Sequence, residues 1–153
     1  MEYRVLAIPG ETTIHEDNPD VAIVNHELSR PDLVVRYAAA PIEHVSRRAT
    51  ISYGVLTFHQ LKEYRWVDSE LSYAHFDDDL EDADSVVFGL IEVIDSRWVE
   101  KMRSESRYLK AIEANPGRTN DLTIVHYRLT FEEYGAFDIL ARSVTTDTIV
   151  SQI

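Results

Sequence analysis

The sequence predicts an α+β fold: a mainly antiparallel β-sheet, or two packed sheets, with one main helix after a central strand. Three observations carry this expectation. Period-two alternation of apolar and polar residues dominates the chain. Turn residues (Pro, Gly, Asn, Asp) separate the alternating runs at short intervals. Only residues 97–113 carry a helical stripe, with Trp98, Met102, Leu109 and Ile112 spaced along one face. A chain of 153 residues with 44% hydrophobic content is enough for one globular domain spanning 1–153.

In order along the chain, "YRVLAI" (3–8) predicts a first strand, stopped by Pro9-Gly10. "VAIVNHEL" (21–28) and "LVVRYA" (33–38) predict a hairpin, because Pro31 in the intervening turn lacks a donor and presets its φ. "ATISYGVLTF" (49–58) and "LKEYRWV" (61–67) predict a second hairpin. In its first arm Leu56 and Phe58 share a face with Gly54, whose position inside a strand suggests a bulge or a close backbone approach. The nearly continuous apolar run "SVVFGLIEVI" (85–94) predicts a central strand buried on both faces or covered by a helix on one. Asp95 or Ser96 can then cap the helix, and Asn115-Pro116-Gly117 stops it. "DLTIVHYRLTF" (121–131) and "AFDILARSV" (136–144) predict a closing hairpin, with Gly135 suited to positive φ in its turn. The tail "TTDTIVSQI" (145–153) adds a strand or frays.

The net charge of −12 and pI of about 4.8 oppose nonspecific attraction to nucleic-acid phosphates and fit docking to a basic partner. No cysteine is present, which removes disulfides, thiolate catalysis and Cys-ligated metals. The start has no basic n-region and long apolar h-region, and no run approaches the length of a membrane span, so a cytoplasmic location without membrane contact is expected.

The acidity is local. Six of the eight residues from Asp77 to Asp84 are acidic. Asp77, Asp79 and Glu81 begin like a calcium-binding loop, but Asp82 stands where the sharp turn needs Gly, and Phe88 where the bidentate Glu belongs. The stretch therefore reads as a solvated connector, with docking by Asp77, Asp78 and Asp79 as the sharper alternative. His75 with Asp77 and Asp79 is the best metal candidate in a sequence whose six histidines fall at neither HxH nor HExxH spacing. No cofactor motif is visible: the five glycines form neither GxGxxG nor a P-loop, and no GxSxG elbow occurs.

Two further features bear on function. Glu92 interrupts an apolar run, so it is either paired with an arginine such as Arg128 or Arg142, or buried as a general acid or base. With His126 and Arg128 it forms the candidate set for an enzyme or small-ligand pocket between sheet and helix. Tyr-Arg steps recur (Tyr3-Arg4, Arg36-Tyr37, Tyr64-Arg65, Tyr127-Arg128), and strand alternation would put each ring in the core and each guanidinium outside. In "EYRW", Tyr64 and Trp66 share one face and Arg65 takes the other, an aromatic pair of the kind that anchors interfaces.

The segments "IEVIDSRWVEKM" and "HYRLTFEEYGAFDILA" together resemble a pattern in small uncharacterised bacterial proteins: a strand, a capped helix opening with Ser-x-Trp, then a strand and hairpin. The resemblance covers about residues 85–144, extends more faintly to "GVLTFHQLKEYRW", and implies one α+β domain and no chemistry. The function these readings favour is a small soluble, non-catalytic protein-binding protein of accessory or toxin-neutralising type, with Tyr64, Arg65 and Trp66 or the acidic loop as its contact. A pocket enzyme or ligand binder is the alternative, and self-association is compatible with either.

Overall fold

A computed structural model describes residues 2–10, 19–39, 50–68, 89–105, 123–131 and 135–152. In chain order the elements are β1 (Tyr3–Leu6), β2 (Asp20–Val24), β3 (Asp32–Ala38), β4 (Thr50–His59), β5 (Glu63–Asp68), β6 (Gly89–Val93), α1 (Arg97–Ser104), β7 (Val125–Phe131), β8 (Gly135–Ala141) and β9 (Ser143–Gln152). They form two sheets, one of five strands in the order β1-β6-β7-β8-β5 and one of four in the order β2-β3-β4-β9. Every pairing is antiparallel. The fold is thus mostly antiparallel sheet with one helix among the described residues.

The two sheets share a core. Leu33, Val35 and Tyr37 of β3 with Leu56 and Phe58 of β4 pack against Leu90 of β6, Tyr127, Leu129 and Phe131 of β7, and Phe137 and Ile139 of β8. The alternation that predicted the strands builds this layer, because every second side chain points inward. Gly54 marks a close approach rather than a bulge: a Cβ there would collide with the Tyr37 ring, whose hydroxyl donates to the Pro9 carbonyl at 2.6 Å. Burial pushes the Tyr37 phenol well above its usual pKa.

Sequence and structure part company at the second hairpin. β4 pairs with β3 and β9, and β5 pairs with β8. The chain between β4 and β5 turns a corner from one sheet into the other. Gln60 takes a left-handed φ of 51° there, and its N–H donates to the Asp32 carboxylate at 3.0 Å. The Leu61 N–H donates to the Pro31 carbonyl at 2.7 Å. Between β8 and β9 the chain makes the reverse crossing, and the Arg142 N–H donates to the His59 carbonyl at 2.9 Å. Both strands of the β4/β9 ribbon therefore pass into the β5/β8 ribbon. Adjacency in sequence cannot distinguish such a corner from a hairpin, since both need only a short polar turn.

The β2–β3 and β7–β8 hairpins form as the turn residues dictate, and Gly135 has φ 126°. The tail is strand β9. The central strand β6 is flanked by β1 and β7 and buried on both faces, apart from the half-buried Glu92. Helix α1 is shorter than its apolar stripe predicts: Glu105 is already extended at φ −67°, ψ 134° and caps it. Leu109, Ile112 and the Asn-Pro-Gly stop lie outside the described residues. Val99 and Met102 of α1 pack with Ile124 and Leu140 as a second cluster on the outer face of the five-stranded sheet, with Trp98 against it.

Candidate functional site

Under and beside α1, the outer face of the five-stranded sheet carries a buried polar chain. His126 and Arg128 lie on this face of β7 because the intervening Tyr127 points into the main core. Asp138 of β8 stands directly opposite Arg128, and Arg65 of β5 directly opposite Asp138. Three neighbouring strands thus deliver one carboxylate and two guanidiniums to one row. Asp138 has no exposed surface, and His126 and Arg128 are almost as deeply buried.

The contacts close on one another. Asp138 Oδ1 accepts from His126 Nε2 at 2.6 Å and from Arg128 Nε at 2.9 Å, and Oδ2 accepts from an Arg128 terminal nitrogen at 3.2 Å. Arg65 approaches the same carboxylate at 3.6 Å and stacks over the Trp98 ring at 4.4 Å. Trp98 in turn meets the His126 ring edge to face at 5.5 Å. At the far end Ser96 Oγ lies 2.7 Å from His126 Nδ1 and accepts from the Val99 N–H at 3.2 Å, as the N-cap of α1.

These partners set the tautomer. The carboxylate can only accept, so Nε2 carries a proton; Ser96, accepting the cap bond, donates its hydroxyl hydrogen to Nδ1. Burial alone would push the Asp138 carboxyl up, but the His126 hydrogen bond and the Arg128 charge and hydrogen bond outweigh it. The group is held below the usual carboxylate range.

Ser96, His126 and Asp138 are the residue types of an acyl-transfer triad, yet the arrangement suits a structural relay better. A triad puts the carboxylate on Nδ1 and the serine on Nε2, the reverse of this order. The Ser96 oxygen is committed to the helix cap and buried. Two guanidiniums already neutralise Asp138, which weakens its support for an imidazolium.

Of the pocket candidates, Glu92 and His126 both line one cleft, and Arg128 is not in its lining. Glu92 is paired opposite Tyr127, so its side chain lies on the sheet face away from His126. Its partner is Arg4 of β1, opposite it in register, and neither Arg128 nor Arg142. Burial raises the Tyr127 phenol to about 12, with the Glu92 charge adding to the rise and Arg4 opposing it. The Tyr-Arg alternation also fails at Tyr127-Arg128: the ring is in the core as expected, but the guanidinium is buried too, paired with the buried Asp138 on the outer face. A cleft of about 190 Å³ does lie between the end of β6, α1 and the start of β7, with Ser96, Arg103 and His126 in its lining.

"EYRW" lies in β5, one of the two end strands of the five-stranded sheet. Arg65 turns to the outer face and joins the buried chain. Tyr64 and Trp66, opposite Ile139 and Phe137, stand on the core-facing side at the rim of the sandwich and remain 40% and 42% exposed. His75, Asp77, Asp78 and Asp79 lie outside the described residues, among which no group of three metal-ligating side chains assembles. No described helix is long and apolar enough to cross a membrane.

Asp138 is the residue the sequence reading missed. Its signal was there: a lone carboxylate inside the apolar strand "GAFDILA", the same anomaly that drew attention to Glu92. The chain matches no family model, no curated protein and no solved structure.

Proposed function

We propose that this chain is a non-catalytic protein-binding module that takes an extended, basic segment of its partner alongside β5. The observation that carries this reading is the pair Tyr64 and Trp66, two large rings 40% and 42% exposed on a strand that ends the sheet. An end strand offers backbone donors and acceptors to an added strand, and alternate side chains supply specificity. Aromatic anchors dominate interface energetics. Arg65 contributes from below: held by Asp138 and Trp98, it fixes the strand in place, so less order is lost on binding. The net charge of −12 favours a basic partner and speeds its encounter. An accessory or toxin-neutralising role in the cytoplasm is the setting this chemistry suits.

Panning a random peptide library on the immobilised protein tests the reading. Selected sequences should be rich in Lys and Arg, and Tyr64→Lys/Trp66→Lys should weaken their binding about 100-fold, the loss of roughly 3 kcal/mol expected for a hot-spot pair. Peptides that bind this variant as tightly as the parent would refute it.

The cleft lined by Ser96, Arg103 and His126 supports a second reading, a small-ligand site between sheet and helix. Its volume of about 190 Å³ is enough for a small ligand or part of a larger one, since a cavity of about 150 Å³ holds benzene. A fragment screen read by amide shifts at Ser96, Val99 and His126 distinguishes it from docking at β5.

A further inference from the structure

We propose that β9 pairs edge to edge with β9 of a second copy of this chain, joining two four-stranded sheets into one. β9 is the long strand at the end of its sheet, hydrogen-bonded along its whole length to β4 and to no other described strand. Edge strands of soluble proteins are usually protected by being short, by Lys or Pro, by a bulge or by a covering element. Among the described residues β9 has none of these devices; its one capped donor is the Thr148 N–H, which donates to the Asp147 carboxylate at 2.8 Å and which pairing at this position would have to release. It runs from Ser143 to Gln152 in unbroken register with β4, and its sequence, SVTTDTIVSQ, contains neither Pro nor a basic residue. β-branched residues fill it, and such residues favour a pleated surface.

Both faces of the strand are open as well as its edge. Val144, opposite Phe58, packs on the core, but Thr146, Thr148 and Val150 on that same face are exposed, Val150 to 65%. On the other face Asp147 and Ile149 are exposed too. At the opposite end of this sheet β2 is also exposed, but it is only five residues long and carries Asp20 at its start. A second copy suits the longer edge better than a basic partner does, because Asp147 is the one charge on β9 and offers a cation little to grip.

Symmetry and charge choose the register. A two-fold axis through a continuous antiparallel sheet stands perpendicular to it and must pass through a residue position. An axis at Asp147 would set two carboxylates face to face. An axis at Thr148 pairs positions 144 to 152 with their counterparts, places Thr148 against Thr148 of the second copy and sets Asp147 opposite Ile149. Thr–Thr cross-strand pairs are favourable, and like charges directly opposite are not. The two Asp147 carboxylates then lie on a diagonal at about 7–8 Å, where repulsion is screened by salt.

Sedimentation velocity over a dilution series reads the proposal directly. The expected result is a reversible dimer that tightens as salt is raised. Thr148→Lys, which places two ammoniums at the axis, should weaken it at least tenfold, and Asp147→Asn should tighten it. Should the lysine variant fold poorly, hydrogen exchange on the unaltered protein replaces it: β9 amides should lose protection on dilution while β3 and β7 amides do not. A monomer at every concentration overturns the proposal. So does a dimer indifferent to Thr148→Lys, or one lost only in Tyr64→Lys/Trp66→Lys, which would move the contact to β5.

Discussion

Asp138 decides the character of its surroundings. It is a fully buried carboxylate whose oxygens serve an imidazole and two guanidiniums, and it has no other solvent. Replacing one member of such a group costs more than the group itself contributes, because the remaining charges are left buried and unpaired. Asp138→Asn should therefore lower the unfolding free energy by roughly 3–5 kcal/mol in urea titration. The same carboxylate sets an acid limit. Its pKa is depressed in the fold, so its stabilisation is complete above the ordinary aspartate value and is lost as pH falls through the folded one. Melting temperature should fall steeply below about pH 4, and the Asp138→Asn variant should show a flatter fall. Gly54 is the other position where a single atom matters. Gly54→Ala drives a methyl into the Tyr37 ring and should cost about 1–3 kcal/mol, the usual range for overpacking. The glycine's role was readable from its place in an apolar strand, whereas the depth of Arg128 was not, because alternation assigns a face without saying what covers it.

At the scale of elements, α1 is held by its first residues. Ser96 caps the helix and simultaneously satisfies His126 Nδ1, so one hydroxyl ties the helix start to the sheet. Ser96→Ala removes a cap worth about 1 kcal/mol. It also orphans a buried acceptor at about 1–3 kcal/mol. Melting should show the combined loss, and Ser96→Thr should restore part of it. The cap, the β2–β3 and β7–β8 hairpins and the central strand were all legible, since each rests on chemistry local to a few residues. The corner from β4 into β5 was not. Its geometry depends on β9 and β8 arriving from the far end of the chain, and local turn residues do not encode that meeting. Periodicity likewise does not register the extended cap at Glu105 that ends α1; the stripe at Leu109 and Ile112 lies outside the described residues.

At the scale of the whole molecule, two sheets enclose one shared core and leave four end strands, of which β5 and β9 differ in character. β5 carries aromatic anchors on one face and a guanidinium clamped from the other. β9 is polar, β-branched and nearly uncharged. An acidic protein of net charge −12 would use the first for a basic partner and the second for its own copy. Amide chemical-shift mapping with a panned basic peptide tests the first assignment, the central one, most directly. Perturbations should concentrate on residues 63 to 68 of β5 and on their β8 partners, with slowed exchange of the β5 amides, and should vanish in Tyr64→Lys/Trp66→Lys. Perturbations confined to α1 and the start of β7, with β5 unmoved, would contradict the account and give the function to the cleft.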